Sequence, residues 1–237
     1  MTTLLAIDTS TEACSVALLY KGEKTHLFEI AQRTHTKRIL PMVDDILTNS
    51  GIRIAQIDAL VFGRGPGSFT GVRVAAGIAQ GLALGTDIPA IGISNLTAMA
   101  QQAYEQNGSI NVLSAIDARM NEVYFSHLMA EKVRLDSDEF IQWKEIIKEQ
   151  VSSPEKVIQQ LSACDKDWTT VGTGWSAYSQ FALADLTLNS NITLPSAQYM
   201  LSIALPLYKQ KQWISALEIE PVYLRNEVTW KKLPGRE

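Results

Sequence analysis

The 237-residue chain has only two cysteines, Cys14 and Cys164, only three histidines, and no long apolar run. Each shortage excludes something. Two cysteines with no CxxC pair and no N-terminal signal core exclude a disulfide scaffold and a cysteine metal site, and fit a reducing, cytoplasmic compartment. His26, His35 and His127 are scattered, with no His-x-x-x-His pair, so a metal-hydroxide enzyme is not expected and no metal ligand is assigned. The N-terminal run from Thr2 ends at Asp8, and the stretch between Arg73 and Asp87 is 13 residues long and glycine-rich. The stretch from Ile88 to Tyr104 is interrupted by Pro89, Asn95, Gln101 and Gln102. None of these spans a bilayer, and a soluble chain without membrane contact is expected. Positive charge is short too. Lysine and arginine total 21 against 25 aspartates and glutamates, a net charge of −4, which excludes a protein that grips nucleic acid unaided.

What the chain does contain is a repeat. Ala6-Ile7-Asp8 recurs as Ala115-Ile116-Asp117, and Gly63-Arg64-Gly65 recurs as Gly172-Thr173-Gly174, both at an offset of 109 positions. Each triplet closes an apolar run, Leu4 to Ile7 and Val112 to Ile116. Each glycine pair follows a β-rich run, Leu60 to Phe62 and Thr169 to Val171. The pattern reads as an internal duplication. An aspartate ending a first strand and a glycine turn after a later one is how two-lobed actin-like ATPases place phosphate groups. The expected fold is α/β, an actin-like (ASKHA, ribonuclease-H-like) pair of lobes with a duplicated βββαβαβα core. Residues 1–106 form the first lobe, and 107–237 form a smaller second lobe with a docked tail.

Leu4–Ile7, Cys14–Tyr20 and Lys24–Ile30 read as strands, the last two joined by a turn at Lys21-Gly22. Ile39, Leu40, Val43, Ile46 and Leu47 recur at helical spacing, with Thr36 as N-cap, Pro41 confined to the first turn and Gly51 past the end. Strand Ala59–Phe62, a glycine loop, helix Val72–Leu84 ended by Gly85, strand Ile88–Ile93 and helix Leu96–Tyr104 complete the half. Asn107-Gly108 marks the boundary. The second half repeats the order less cleanly. It has strands near Val112–Ile116 and Glu122–Met129, a weakly amphipathic Glu139–Gln150, and a helix opened by Ser153-Pro154. Strand Thr169–Val171 and an apolar helix around Met200 to Tyr208 follow. The tail from Glu220 to Glu237, with Pro221 and Pro234, reads as extended and either docked or loose.

Asp8-Thr9-Ser10 offers a carboxylate and two hydroxyls that can order a magnesium-bound water and hold a phosphate, although the same residues also serve simple turns. The run from Gly63 to Arg73 permits positive φ and close backbone approach before a helix N-terminus. It is neither a Walker A loop nor a nucleophile elbow around Ser68, and a tight strand-to-helix connector is the alternative. The candidate nucleotide positions, read as inherited, are Asp8, Thr9, Ser10, Gly65, Gly67, Asp117, Gly172 and Gly174. In the following helix Gly77, Gly81 and Gly85 fall four apart, as do Gly71 and Ala75, which strips one face of side chains. Glycine inside a helix costs about 1 kcal/mol against alanine, so another backbone is expected close by, from the same chain or from a partner helix. His35 reads as an exposed cap-region residue rather than the base of a Ser/His/Asp triad.

With Ala6-Ile7-Asp8-Thr9-Ser10, Arg33-x-His35, the run Gly65 to Arg73 and Pro89-Ala90-Ile91-Gly92-Ile93-Ser94 in place, the chain resembles the TsaB family, formerly YeaZ. The resemblance is strong over the first hundred residues and weak over about 130–210, and Pro221-Val222-Tyr223-Leu224-Arg225 matches the family's tail. It implies membership of the bacterial complex that places threonylcarbamoyl on N6 of adenosine 37 in tRNAs reading codons that start with A. In that family the subunit is a non-catalytic paralogue that scaffolds TsaD and recruits TsaE, so no catalytic residue is assigned. The catalytic relative carries a His-x-x-x-His pair where this chain has Asn95 and Met99, and a thioether does not replace imidazole on a metal in an oxygen-rich site. The resemblance also implies no cofactor of its own, ATP or ADP held at the complex interface, tRNA met only through the complex, and a homodimer in isolation. The family's TsaB–TsaD contact is a bundle of the first two helices of each protein. Here those are Ile39, Leu40, Val43, Ile46 and Leu47 on one helix and Gly71, Val72, Ala75, Ile78, Gly81 and Leu82 on the next. Two rivals stand beside it. A free-standing actin-like ATPase or phosphotransferase would use Asp8, Asp117 and both glycine turns, yet Asp117-Ala118-Arg119 carries no hydroxyl beside the aspartate. A glycoprotease-like peptidase lacks its metal ligands.

Overall fold

The computed structural model describes residues 1–162 and 167–225, so Cys164 and Pro234 lie outside the described residues. The first half builds β1 (Leu4–Asp8), β2 (Ala13–Tyr20), β3 (Glu23–Ile30), α1 (His35–Asn49), β4 (Ala59–Gly65), α2 (Phe69–Thr86), β5 (Ala90–Ser94) and α3 (Asn95–Asn107). Its sheet runs β3-β2-β1-β4-β5, antiparallel across β3, β2 and β1 and parallel from β1 through β4 to β5. β1 is buried at every position, as a central strand with both faces covered must be. β3 is the exposed edge and reads mixed. This is the βββαβαβα order expected.

Helix boundaries differ from the expectation in instructive ways. Thr34, not Thr36, caps α1, because the turn in which the Thr34 N–H donates to Ala31 O at 3.0 Å starts the helix early. Pro41 therefore sits in the second turn rather than the first, where it withholds one helical donor. Gly85 does not end α2. The helix runs through it, and the left-handed stop falls on Asp87 at φ 54°. Gly108 at φ 71° closes α3 where the boundary was placed.

The second half builds β6 (Asn111–Arg119), β7 (Glu122–Leu135), β8 (Asp138–Ser152), α4 (Pro154–Leu161), β9 (Thr169–Val171), α5 (Gly174–Ala177), α6 (Ser179–Leu183) and α7 (Ala197–Lys209). The weakly amphipathic Glu139–Gln150 segment is strand β8, and the sheet order β8-β7-β6-β9 makes this lobe a reduced copy of the first. Its core is aromatic, with Trp175 edge-on to Phe125 at 6.1 Å and tilted on Phe181 at 4.9 Å. Ser153 caps α4 as expected, accepting from the Lys156 N–H. The copies are not in identical register. Leu5 pairs with Leu60, whereas Ser114, its counterpart at the repeat offset, pairs with Val171 rather than Thr169. The second glycine turn is thus two residues out of step with its aspartate.

α7 does not stay with the second lobe. Ala197, Met200, Leu201 and Ala204 pack on the first sheet against Leu4, Ala6, Ala17, Val61 and Ile93, while α1 and α2 cover its other face. The Ala197 N–H donates to Ser15 Oγ at 3.0 Å and fixes the point of return. The β7–β8 hairpin also crosses over. Ser94 Oγ donates to Glu149 at 2.8 Å, Arg64 pairs with the same carboxylate, and Trp143 Nε1 donates to Gln101 at 2.8 Å. Met200→Ala would empty a fully buried site between α7 and the sheet, and a loss of about 2–5 kcal/mol is expected in urea unfolding. A loss well under 1 kcal/mol would remove α7 from the core.

Candidate functional site

The sharp turn after β1 and the glycine loop after β4 close on each other. Thr9 Oγ1 donates to Gly71 O at 2.7 Å, and the Ser68 N–H donates to Ser10 O at 2.7 Å. Ser68 Oγ in turn accepts from the Gly71 N–H at 3.0 Å and caps α2. The glycines are required by this contact. A Cβ on Gly67 would stand 2.4 Å from Ser10 O, one on Gly71 2.2 Å from Thr9 O, and one on Gly63 2.1 Å from Asp8 Oδ1. Asp8, Thr9 and Ser10 are all fully buried as a result. The turn and the loop thus touch backbone to backbone at these three glycines.

Among the described residues Asp8 has no cation beside it. It accepts from the Ser10 N–H at 3.3 Å and from Ser10 Oγ at 3.2 Å, and Asn95 Nδ2 donates to Ser10 Oγ and, at 3.3 Å, to Pro66 O. Burial outweighs these bonds and pushes the Asp8 carboxyl up to about 7. Asn95 Oδ1 is buried without a partner, and it and Asp8 Oδ1 both crowd the same point above Gly63. Asn95 also hydrogen-bonds the Asp8 carboxyl and, like Ser10, favours its charged form, so the upward shift comes from burial alone. Asn95 and Met99, the two positions the resemblance set against a His-x-x-x-His pair, are both fully buried, with Met99 in the core of the α3–β6 layer. No group of three metal-ligating side chains occurs among the described residues.

Between the lobes lies a cleft of about 610 Å³. Ser10, Gly67 and Asp117 line it, whereas Asp8 and Thr9 lie beneath the loop and Gly172 and Gly174 lie against Ala115. Gly65, at φ 105°, sits under the tail, where an added Cβ would be 3.2 Å from Val222 O. Asp117 accepts from Tyr178 Oη at 2.8 Å and pairs with Arg119 at 3.0 Å. Arg225 from the tail pairs with Glu122 and donates to Ala118 O at 3.1 Å. His35 lines the cleft, half-buried rather than exposed, with Nε2 buried and unpartnered.

The helices expected to meet a partner divide in two. Ile39, Val43, Ile46, Leu47, Gly71, Val72 and Ala75 are buried in the chain itself, because these apolar positions are what attach α1 and α2 to the sheet. Leu40 is 44% exposed, Ile78 and Leu82 are half-buried, and Leu84, which the sequence reading did not single out, is 56% exposed. A Cβ added to Gly77, Gly81 or Gly85 would meet nothing within 4 Å. Among the described residues no backbone packs on the glycine face.

Asp8 supplies a pH test. In the native chain it keeps its proton to about pH 7, whereas in the unfolded chain it loses it near 4. Between those values the native state binds more protons, so its contribution to stability falls as pH rises. Asp8→Asn should therefore gain on the parent by up to about 4 kcal/mol between about pH 4 and about pH 8 in denaturant titrations. A flat difference would mean an ionised, well-solvated aspartate.

Comparison with known proteins matches this geometry to relatives along the whole chain. A family model described as TsaD, tRNA N6-adenosine threonylcarbamoyltransferase, matches residues 28–229. The tRNA threonylcarbamoyladenosine biosynthesis protein TsaB of Haemophilus influenzae is 69% identical over 99% of this chain and 98% of its own. The Escherichia coli protein of the same name is 50% identical over 99% of both. The solved structure of YeaZ from Pseudomonas aeruginosa is 39% identical, with a TM-score of 0.80 over 94% of this chain and all of that one.

Proposed function

Because the chain belongs to the TsaB family, within the wider TsaD-type family, we propose that it is the non-catalytic subunit of the machinery that makes threonylcarbamoyladenosine in tRNA. It docks TsaD through α1 and α2, helps TsaE join, and is required for the transfer to N6 of adenosine 37 in tRNAs reading codons that start with A, without performing it. It works in the cytoplasm, pairs with itself when TsaD is absent, and meets tRNA through the complex. ATP or ADP belongs to the complex interface rather than to this chain alone.

The observation that carries this reading is the bare face of α2. Glycine at 77, 81 and 85 weakens the helix and leaves open space in the single chain, and a partner helix approaching closely is what such a groove fits. Exposed Leu40 and Leu84 supply flanking apolar surface. The closed Asp8 turn supports the non-catalytic half of the reading, because a buried, half-protonated carboxyl is a poor holder of a magnesium-bound water.

Size-exclusion chromatography with light scattering, on this chain alone and mixed with its cognate TsaD, tests the assignment. A 1:1 heterodimer should replace the homodimer, and Gly81→Leu should abolish both while leaving the fold intact. Unchanged pairing in that variant would sink the docking surface. Gly77→Ala and Gly81→Ala should each stabilise the dissociated chain by up to about 1 kcal/mol in thermal unfolding while weakening pairing. ATP turnover by the lone chain that vanished in Asp8→Ala would revive the rival ATPase.

A further inference from the structure

At the cleft end of α2 the surface changes character. Phe69, Arg73, Gly77, Gly81 and Gly85 lie four apart on one ridge, of which the last three positions are bare and the first two carry a stack. The Arg73 guanidinium sits 3.4 Å over the Phe69 ring and 4.8 Å from that of Tyr223, and Nη1 donates to Phe69 O at 2.9 Å. Phe69 nevertheless keeps 68% of its surface exposed and Tyr223 46%. The tail is aimed to bring Tyr223 here. The Val222 N–H donates to Arg64 O at 2.8 Å, and Arg225 is anchored on the β6–β7 turn.

We propose that the Phe69–Arg73–Tyr223 stack is a platform for an unpaired base of single-stranded RNA, with Arg33 meeting an adjoining phosphate. Exposed rings held by an arginine present the flat, cation-backed surface on which unstacked bases lie, and a duplex keeps its base faces to itself. Charge agrees locally though not overall. The cleft beside Phe69 is lined by Arg33, Arg119 and Arg225 against Glu12 and Asp117. Arg119 and Arg225 are paired with carboxylates, while Arg33 and Arg73 have no ion pair among the described residues. Arg33 is the cation placed to meet a phosphate, while Arg73 stays within the stack. The stack lies at one end of the ridge, at the cleft, and Gly85 at the other. One base and one or two phosphates on an acidic chain give weak binding, enough to orient a loop that a larger assembly holds.

The identity of the RNA as a tRNA loop rests on the function proposed above; the stacking chemistry does not. The test is photocrosslinking of an anticodon stem-loop hairpin carrying 4-thiouridine in its loop, with a blunt RNA duplex as control, to the full chain alone and paired with TsaD. Crosslinks should fall on peptides containing Phe69 or Tyr223 with the hairpin and not the duplex. Yields should drop about tenfold in Phe69→Ala and Tyr223→Ala and be retained in Tyr223→Phe, all three with parental melting temperatures. Equal crosslinking of the duplex, crosslinks confined to other peptides, or full competition by free ATP at equal concentration would overturn the proposal. Chromatography of the same samples keeps the readings apart. Loss of crosslinks with pairing intact fails the platform alone, and loss of pairing with crosslinks intact fails the docking reading alone.

Discussion

Everything that positions the candidate surfaces follows from one backbone-on-backbone contact, the closure of the Gly67–Gly71 stretch over Thr9 and Ser10. It is made of main-chain oxygens, an amide and two hydroxyls, with less than a methyl group of room at each glycine. The contact fixes where β1 stops and where α2 starts. Once Ser68 caps α2 at that point, the helix direction sets which residues meet the sheet and which look outward. Val72, Ala75 and Ala79 go inward, and the Phe69-to-Gly85 ridge is left facing away from the core. The sealed turn and the open ridge are two results of one constraint.

The same closure decides the chemistry of Asp8. Two forces oppose each other there. Hydrogen bonds from Ser10 favour the carboxylate, and removal from water favours the acid. With no cation in reach and full burial, desolvation wins. An aspartate in an open phosphate site would instead be solvated, ionised and free to order a metal's water shell. Asn95 stands on the same side as Ser10, its hydrogen bond favouring the carboxylate, and burial outweighs both. The strand-end aspartate is part of the packing beneath the glycine loop.

Much of this was legible in the sequence, and the parts that were not share a cause. Strands β1, β2, β4 and β9 and the caps at Ser153 and Gly108 follow from local pattern, because burial on both faces and capping chemistry are local properties. β8 escaped because a long, half-exposed hairpin arm carries charges on both faces and resembles a weak helix. Gly85 misled because a glycine near a helix end marks a stop only when its backbone turns left-handed, and here tertiary packing carries α2 to Asp87. The repeat offset was visible, but the two-residue slip between the glycine turn and Asp117 was not, since register is decided across strands. Seven of the eleven residues assigned to a partner face are buried within the chain, because helical spacing shows that a stripe exists and not what it faces. The Phe69, Arg73 and Tyr223 stack had one readable sign, the four-residue interval from Phe69 into the glycine series. Tyr223 lies 150 residues away from Arg73, and only the fold joins them.

The two glycine sets put one residue type to opposite uses. Gly63, Gly67 and Gly71 are glycines because this chain's own atoms occupy the place of a side chain. For Gly77, Gly81 and Gly85 nothing among the described residues occupies it. Three such residues inside one helix cost roughly 3 kcal/mol against alanine, a sizeable share of the 5–15 kcal/mol by which a domain of this kind is stable. Cooperative folding gives no return for that cost in the monomer, since alanine would fit at all three positions without a clash. The return has to come from a state in which another backbone lies where those methyl groups would be. A groove of that depth discriminates by distance: a helix with small residues can reach it, whereas larger side chains hold the axes apart and forfeit the contact. Selectivity between a second copy and a different partner then depends on the flanks, where Leu84 is exposed on the same helix and the Arg73 stack ends the ridge at the cleft.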